Sequence, residues 1–469
     1  MIVVLGGGPG GRIASIRLAS AGKEVRLIEH GGIGGQCLNF GCMPVCALND
    51  VARTIHSVRQ FQQLGLFDAM LPVNFSRMME EMHAIQSKIA CILDAETKSA
   101  GVDITYGKSG RLEGKTVFVA DEKVDADAVI AATGSLPYIP DIPGIDTPGV
   151  YTPHTLFQIK SMPERLVIIG GGVMAAEFAY IFRALGSEVT LMARNTVLQN
   201  IDKHLRTLAM KDLSPVHIQE NTRVQEIGRS FGGKSLQIAT DGKIPHYDAD
   251  AVLIATGLVP NSAMLGGLKK GPGGEVVVDD HMQTSVPGVY ACGDVVGPPY
   301  LTPVARHQGI VAADNILGIP RKMDCRFVPQ SINLSQELAF CISEKENMAS
   351  LAIPGPAGPG TFWSVPTNST GLAKIFVEPE IHFPGDTEDI IRGNNPLVTG
   401  YRSKVRGPDN IPTGIYARYT GLHMVVNNDL PSWSFFQAAQ HCRIRHESGC
   451  DQDSIRIVMR DFSVRCYLV

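Results

Sequence analysis

Residues 2–11 have the sequence IVVLGGGPGG, and this stretch decides the fold. Its four apolar residues are typical of a buried parallel strand, and its glycines match the pattern G-x-G-x-x-G at Gly6, Gly8 and Gly11. A helix-like run follows as far as Ser20. In such a unit the first glycine permits a tight turn, the second lets a pyrophosphate approach the backbone, and the third lets the helix pack on the strand. The stretch therefore predicts an α/β fold with a dinucleotide site.

The same pattern occurs a second time. A second strand after the first turn ends in Glu29, an acid placed about 20 residues past the glycines, where it can accept hydrogen bonds from a ribose. Residues 166–175, LVIIGGGVMA, repeat the strand and the turn with Gly170, Gly172 and Ala175 at the three key positions. Two Rossmann-like dinucleotide-binding units are therefore expected.

The second unit differs from the first at the end of its second strand. Arg194 stands there in place of an acid. A guanidinium can pair with the 2′-phosphate of NADP, so this position favours NADPH over NADH. A strand-end arginine is also common on protein surfaces, and NADH stays open.

Composition excludes several classes of protein. The 469 residues are 44% hydrophobic and 19% charged, which excludes global disorder. Lys+Arg 42 against Asp+Glu 46 gives a net charge of −4, with no broad basic field for nucleic acid. No apolar run reaches the roughly 18 residues that a membrane-spanning helix needs, and the N-terminus has no basic flank typical of a signal peptide. A cytoplasmic protein that binds neither nucleic acid nor membranes is expected.

Residues 34–44, GGQCLNFGCMP, hold two thiols, Cys37 and Cys42, at the predicted start of a helix. Such a pair can close into a disulfide, and a helix N-terminus lowers the pKa of a thiol, as dithiol exchange requires. Two unpaired core cysteines are the alternative. A three-thiolate metal site with Cys46 lacks a fourth ligand, and no metal is predicted.

This segment resembles the redox-active segment of the pyridine nucleotide-disulfide oxidoreductases, the family of dihydrolipoamide dehydrogenase, glutathione reductase and mercuric reductase. The resemblance extends over about residues 1–380. Further motifs of the family follow in order, namely ATGS at 132–135, EFA at 177–179, ATG at 255–257, ACGD at 291–294 and a segment at 328–344 similar to the first strand of the family's interface domain.

The resemblance implies FAD on the first turn and on Glu29, with Asp294 bound to the flavin's ribitol, and a nicotinamide nucleotide on the second turn. It implies that Cys42 is the thiol next to the flavin and that Cys37 is the interchange thiol that meets the substrate. The other residues expected to contact the cofactors are Gly35, Gln36, Thr133, Gly134, Glu177 and Gly257.

By the same resemblance, the chain should form a homodimer built from an FAD domain, an NAD(P) domain and an α+β interface domain. The expected boundaries are 1–145 and 262–322 for FAD, 146–261 for NAD(P) and 323–469 for the interface, with the family's pattern fading after about 380. The predicted function is NAD(P)H-dependent reduction of a disulfide substrate, or the reverse oxidation of a dithiol as in dihydrolipoamide dehydrogenase. The alternatives are an NAD(P)H oxidase or diaphorase, and a redox-sensing interaction protein that binds FAD without thiol turnover.

Three departures from the family pattern bear on mechanism. Val45 and Cys46 replace a serine and a lysine, so Glu177 loses the lysine that usually pairs with it, and Cys46 is either a third exchange thiol or a small buried residue. The family's late histidine and glutamate, an acid-base pair, are not recognisable. His441 and the dipeptide 446–447 are interpreted as surface residues. The third departure, the break after 380, indicates either a divergent domain or a change of reading frame in the gene.

Overall fold

The structure is a computed structural model of the chain. It describes residues 1–66, 68, 72–120, 122–230, 236–241, 246–324 and 328–342, together with short strands at 349–350, 363–366, 372–375, 377–380, 443–445, 454–459 and 462–467. The chain divides into two compact units, Met1–Ser335 with Ile342–Glu346, and Gln336–Cys341 with Asn347–Val469. Among the helices in the described ranges, none is long and apolar enough to cross a membrane.

The helices of the described residues all lie in the first unit. They are α1 Pro9–Ser20, α2 Gly35–Asn39, α3 Cys42–Gln63, α4 Phe75–Ser99, α5 Val173–Leu185, α6 Lys203–Asp212 and α7 Thr302–Ile316.

The strands up to residue 333 belong to the same unit. They are β1 Ile2–Leu5, β2 Val25–Glu29, β3 Asp103–Tyr106, β4 Gly110–Glu113, β5 Thr116–Val119, β6 Glu122–Val124, β7 Ala128–Ala131, β8 Ser135–Pro137, β9 Val150–Tyr151, β10 Arg165–Ile169, β11 Glu188–Met192, β12 His217–Gln219, β13 Val224–Arg229, β14 Leu236–Thr240, β15 His246–Ala249, β16 Ala251–Ile254, β17 Leu258–Pro260, β18 Leu265–Gly266, β19 Val289–Ala291 and β20 Val328–Asn333.

The first parallel sheet has the strand order β19-β7-β1-β2-β3. All four residues of β1 are buried, because both faces of this central strand are covered. Ile2 and Val4 pack into one apolar cluster and Val3 and Leu5 into another, as expected from the alternation of side chains along a strand. Strand order reverses at β1, which is where ligands bind in open α/β sheets.

The second parallel sheet has the order β12-β11-β10-β16-β9, with β10 in the centre. Its helix α5 is apolar on most of its surface, and Phe178 and Phe182 are almost completely buried. The strands β8 and β17 form an antiparallel pair, and β13-β14-β15 is a small antiparallel sheet. The sheet β18-β4-β5-β6 is mixed, because β18 pairs parallel with β4 and the other pairs are antiparallel.

The two parallel sheets confirm the predicted α/β class and its two dinucleotide-binding units. The predicted domain boundaries stay a prediction.

The remaining strands are β21 Glu337–Ile342, β22 Ala349–Ser350, β23 Trp363–Pro366, β24 Leu372–Ile375, β25 Val377–Glu380, β26 Arg443–Arg445, β27 Ser454–Met459 and β28 Phe462–Tyr467. They pair antiparallel, as β21-β22, β23-β24 and β25-β28-β27-β26. Most of the predicted interface domain, including the histidine at 441 and the dipeptide at 446–447, lies outside the described residues.

Candidate active site

The first glycine-rich turn has the geometry of an anion cradle. Gly6 has φ +107, and a methyl group there would lie 2.3 Å from the Ala132 carbonyl oxygen. A methyl group on Gly11 would lie 2.0 Å from the Gly6 carbonyl oxygen, so only glycine lets α1 approach β1 this closely. Gly8 is the N-cap of α1 and forms no side-chain capping bond. The turn therefore fits a pyrophosphate, which the N-terminal N–H groups of α1 can hold.

Glu29 lies beside this turn at the end of β2. Its Oε2 accepts a hydrogen bond from the Gly7 N–H at 2.5 Å and its Oε1 one from the Gly31 N–H at 2.7 Å. These bonds fix the carboxylate, while its remaining lone pairs can still accept bonds from ribose hydroxyls. The residues of the first turn and Glu29 thus fit the adenosine half of a dinucleotide.

The second turn repeats the backbone geometry with more open surroundings. Gly170 has φ +150, and a methyl group there would lie 2.1 Å from the Ala255 carbonyl oxygen. Gly172 is the N-cap of α5, and no described atom lies within 4 Å of the position that its Cβ would take. Ala175, at the third position, is fully buried. This turn also fits a pyrophosphate.

Arg194 lines a cavity of about 310 Å³ just beyond the end of β11. The other lining residues are Asn195, Asn221, Arg223 and Asp241. One oxygen of the Asp241 carboxylate, Oδ1, already accepts a hydrogen bond from the Arg223 backbone N–H at 2.6 Å. Two guanidiniums, two amides and one carboxylate therefore border the space, and the excess of positive charge can attract a phosphate group.

The thiol pair lies on two successive helices. Cys37 is half-buried within α2, and Cys42 is exposed at the first position of α3. The segment between them is held from α4, where Gln86 Nε2 donates to the carbonyl oxygens of Leu38 and Asn39 at 2.9 and 3.1 Å. The predicted helix start is therefore confirmed for Cys42, whereas Cys37 belongs to a separate short helix.

The two thiols differ in acidity. The Cys42 side chain hydrogen-bonds to that of Cys37, which lowers the pKa of Cys37 to about 7 although burial opposes the shift. A hydrogen bond from Thr302 and the charge of Arg306 also lower it, and Asp294 raises it. The same bond to Cys37 raises the pKa of Cys42 well above its ordinary value. In the reduced pair, Cys37 is therefore the more acidic thiol.

Cys46 behaves differently. Burial raises its pKa to about 12, and the charges of Glu177 and Asp50 add to the increase, while Arg53 opposes it. A thiol with such a pKa is protonated at neutral pH and is a poor nucleophile. The structure favours a small, half-buried, unreactive residue over a third exchange thiol.

Glu177 has partners that its sequence position does not indicate. Its Oε1 accepts hydrogen bonds from the backbone N–H of Asn333 at 2.7 Å and from Asn333 Nδ2 at 3.3 Å. The expected loss of the lysine thus does not leave Glu177 without a hydrogen-bond partner. The backbone and side-chain amides of Asn333, at the end of β20, take the place of the lysine as hydrogen-bond donors. They do not replace its positive charge.

The predicted cofactor residues Gly35, Gln36 and Asp294 lie around the first turn. A methyl group on Gly35 would lie 2.7 Å from the Gly8 Cα, so the thiol segment rests directly on the turn. The Ser135 hydroxyl donates to Asp294 Oδ2 at 2.6 Å and lies 3.2 Å from Gln36 Oε1. Burial raises the pKa of Asp294, and this hydroxyl opposes the increase.

Two segments connect the parallel sheets with the pair β8-β17. Thr133 and Gly134 lie between β7 and β8, and Gly257 lies between β16 and β17. The Thr133 hydroxyl donates to the Asn261 carbonyl oxygen at 2.7 Å, and the Asn261 N–H donates to the Gly134 carbonyl oxygen at 2.9 Å. Gly257, with φ +119, accepts a bond from the Tyr138 N–H at 2.9 Å. These residues connect the crossing segments, and their contact with a cofactor stays a prediction.

Sequence reasoning missed several residues of the site, namely Thr302, Arg306, Arg223 and the role of Ser135. Thr302 begins a helix and precedes a proline, a pattern that predicts the helix start but not its contact with the thiols. Arg223 comes from the segment before β13, and no motif connects it with Arg194.

Comparisons with known proteins identify a family. The model of the family described as pyridine nucleotide-disulphide oxidoreductase matches residues 1–309. The chain is 30% identical to the mercuric reductase of Staphylococcus aureus over 343 residues, 70% of this chain and 62% of that protein. It is 32% identical to the dihydrolipoyl dehydrogenase of Acholeplasma laidlawii over 326 residues, 68% of this chain and 96% of that protein.

Two solved structures are also similar. One is a Cu(II) complex of RclA, an HOCl-induced flavoprotein disulfide reductase from Escherichia coli, with a TM-score of 0.63 and 25% identity. The other is LpdA from Mycobacterium tuberculosis, with a TM-score of 0.66 and 26% identity. Each covers 73% of this chain, and this chain covers 78% of each.

Proposed function

The chain belongs to the pyridine nucleotide-disulfide oxidoreductase family, as its motifs predicted, and we propose that Cys37 and Cys42 form its redox-active pair. The family makes it an FAD-dependent oxidoreductase of disulfides, similar to dihydrolipoyl dehydrogenase, that uses FAD and a pyridine nucleotide. Its electrons would pass between NAD(P)H, FAD, the thiol pair and a disulfide or dithiol substrate.

The observation that carries the proposal is the hydrogen bond between the Cys42 and Cys37 side chains, in a segment that rests on the first turn through Gly35. This bond lowers the pKa of Cys37, so Cys37 ionises more readily than an ordinary thiol while Cys42 keeps its proton. Two unpaired core cysteines would not lie in hydrogen-bonding contact. Cys37, as the more acidic thiol, suits attack on a substrate, which agrees with its assignment as the interchange thiol.

The exchange balances without any further reactant. The Cys37 thiolate attacks one sulfur of the substrate disulfide, the substrate S–S bond breaks, and the first half leaves as a thiolate. Cys42 transfers its proton to the released thiolate and attacks Cys37, which closes the Cys37–Cys42 disulfide and releases the second half as a thiolate. The substrate gains two electrons and the thiol pair loses two. Bound FAD would supply the two-electron connection between nicotinamide and thiols.

For FAD, the proposed holders are the first turn, Glu29 and Asp294, with Gly35, Gln36, Thr133 and Gly134 around them. The fit rests on the open N-cap at Gly8 and on the fixed carboxylate of Glu29. For the nucleotide, the proposed holders are the second turn, Glu177 and Gly257.

NADPH is the proposed nucleotide in preference to NADH. The cavity at Arg194 supports it, because Arg223 gives this space a second guanidinium. A 2′-phosphate carries negative charge and several acceptor oxygens that both arginines can bind. A homodimer and a cytoplasmic location are proposed from the family alone.

Anaerobic titration with NADPH and then NADH tests the proposal. A flavin-disulfide enzyme takes up about four electrons, two in FAD and two in the thiol pair. An uptake of about two electrons would leave the thiols outside the electron path. That result would favour an NAD(P)H oxidase, a diaphorase or a redox-sensing binding protein.

A further inference from the structure

The bend between the two thiols, residues 38–41, is held by a side chain of α4. The bend arises because α2 ends at Asn39 and α3 begins at Cys42. A helix leaves its last carbonyl oxygens without partners of its own. In α2, the carbonyl oxygens of Leu38 and Asn39 both accept hydrogen bonds from Gln86 Nε2, at 2.9 and 3.1 Å. One side chain from another helix thus caps the end of the helix that carries Cys37.

Gln86 is itself held in one orientation. Its Oε1 lies 2.9 Å from Nδ1 of His83, and Nε2 of the same ring lies 3.0 Å from the Phe157 carbonyl oxygen. Because two carbonyl oxygens accept from Gln86 Nε2, Oε1 is the acceptor and the His83 ring donates to it. A reversed amide would place Oε1 against both carbonyl oxygens. The network therefore keeps the N–H groups of Gln86 directed at the bend.

A ring contact restrains the same bend from a second side. Phe40, which lies between the thiols, stacks on the half-buried ring of His154, with the ring centroids 4.4 Å apart and the planes at 27°. His154 lies three residues before Phe157, whose carbonyl oxygen faces His83. The bend is therefore restrained through its backbone by α4 and through its aromatic side chain by residues 154–157, and α4 is joined to that stretch.

We propose that Gln86 is a positioning residue for the thiol pair, because it orders the bend between Cys37 and Cys42 before the disulfide closes. The inference rests on the proposed function. Ordering a mobile backbone costs conformational entropy, and a bend that is already ordered does not lose this entropy on closure. The bonds from Gln86 therefore favour the disulfide over the dithiol. In the exchange, the pair loses two electrons to the substrate disulfide, and Gln86 exchanges neither a proton nor an electron.

The direction of the effect follows from which form gains freedom. Without the bonds from Gln86, the bend becomes mobile in the dithiol form, whereas the S–S bond still restrains it in the closed form. The equilibrium constant for closure should therefore fall, and the reduction potential of the pair should rise. For Gln86→Leu, which removes both donor groups, we expect a fall of about tenfold, which equals about 30 mV for a two-electron couple.

Two further variants sharpen the expectation. Gln86→Glu keeps the shape of the side chain but sets a carboxylate oxygen against two carbonyl oxygens, so closure should be weakened more than in Gln86→Leu. His83→Leu removes the support of the amide but keeps both donor groups of Gln86, so the constant should fall only about threefold. This order of effects distinguishes hydrogen bonding to the bend from a general loss of packing on α4.

The experiment measures the closure equilibrium directly. The anaerobic holoenzyme is equilibrated with set ratios of reduced and oxidised dithiothreitol, free thiols are trapped with N-ethylmaleimide, and mass spectrometry of the peptide that carries Cys37 and Cys42 gives the closed fraction. Gln60→Leu is the matched control. Gln60 also contacts a histidine one helical turn away, His56 at 3.0 Å, but it lies exposed about five turns beyond Cys42 on α3. Its midpoint should equal that of the wild type.

FAD content and melting temperature report whether each variant folds. An unchanged midpoint in a folded Gln86→Leu protein would overturn the inference, and so would an equal shift in Gln60→Leu. A wild-type pair that closes at no ratio would overturn the inference and the proposed function together. The proposed function fails alone if the wild-type enzyme takes up only two electrons and reduces no disulfide with NAD(P)H, while the pair still closes in dithiothreitol and Gln86→Leu still shifts its midpoint.

Discussion

The two glycine-rich turns have almost the same backbone and very different neighbours. In the first turn, Gly8 faces the Cα of Gly35 in the thiol segment, and Gly11 leaves no room for a side chain. In the second turn, Gly172 faces open space, and the buried Ala175 occupies the position equivalent to Gly11. The difference shows that the same strand-turn-helix unit can suit either a permanently held ligand or an exchanging one. What surrounds the first turn suits a cofactor held firmly against the thiols, and the openness of the second suits a nucleotide that binds and leaves.

The ends of β2 and β11, the second strand of each unit, differ in the same way: the first is closely held and the second is open. Glu29 is held by two backbone N–H groups from its own unit, whereas Arg194 borders a cavity together with Arg223. An acid accepts bonds from ribose hydroxyls and repels a phosphate, while the arginines attract it. Exchanging residues between the units therefore tests whether the differences are functional.

The largest effect is expected from Gly11→Ala, which places the residue of the second turn in the first. The new methyl group would lie 2.0 Å from the Gly6 carbonyl oxygen, so α1 must move away from β1. We expect destabilisation by about 3 kcal/mol and loss of bound FAD. The ratio of flavin to protein absorbance and the free energy of unfolding measure both effects.

Gly172→Ala is the control for this change, because its methyl group would meet no described atom within 4 Å. It should fold with its FAD intact. A Gly11→Ala protein that retained one FAD per chain would show that the close contact is not required.

The second effect concerns nucleotide choice. Arg194→Glu gives the second unit the acid of the first, and the carboxylate should repel a 2′-phosphate while accepting bonds from a ribose. We expect the ratio of kcat/KM for NADPH to that for NADH to fall about 100-fold, and about tenfold in Arg223→Gln, where only one charged contact is lost. Equal changes for the two nucleotides would remove the case for NADPH.

The sequence predicted those features of the two units that depend on local chemistry. Both turns, their strands and their helices lie within a few residues of the predicted positions, because a positive φ at Gly6 and at Gly170 demands glycine and buried parallel strands are continuously apolar. The thiol pair was recognisable for the same reason, since its spacing is short.

The contacts that tune the thiols were not predictable. Thr302 bonds to Cys37, and the charge of Arg306 acts on it, because α7 packs on α1 through Gly10 and Gly309, a tertiary contact with no signature in a single sequence. Glu177 could be seen to lack its usual lysine, but its bond to Asn333 depends on how a distant segment folds back. Local patterns thus predict the sites, and packing decides their electrostatics.

A smaller effect is expected from Glu29→Gln in the first unit. The amide oxygen can still accept one backbone N–H, but the charge is lost and the amide nitrogen would face the Gly31 N–H as a second donor. FAD should bind about tenfold more weakly, as the loss of one charge-assisted bond implies. Fluorescence titration of the apoprotein with FAD measures the dissociation constant. Asp103→Asn on the neighbouring β3 removes the same charge from the exposed edge and should have no effect.

The smallest effect is expected from Ala175→Gly, the reverse of the first exchange. The second turn has room for the methyl group, so removing it creates no clash and only loses helix propensity and a little buried surface, about 1 kcal/mol in all. Thermal unfolding should show a small decrease in melting temperature with the KM for NADPH nearly unchanged. The two exchanges should therefore destabilise the protein by unequal amounts. A methyl group has no room at Gly11, whereas at Ala175 it only adds some buried surface and helix propensity. A loss as large as that of Gly11→Ala would mean that the second helix needs its third residue as strictly as the first, and the openness of the second turn would then explain nothing about its ligand.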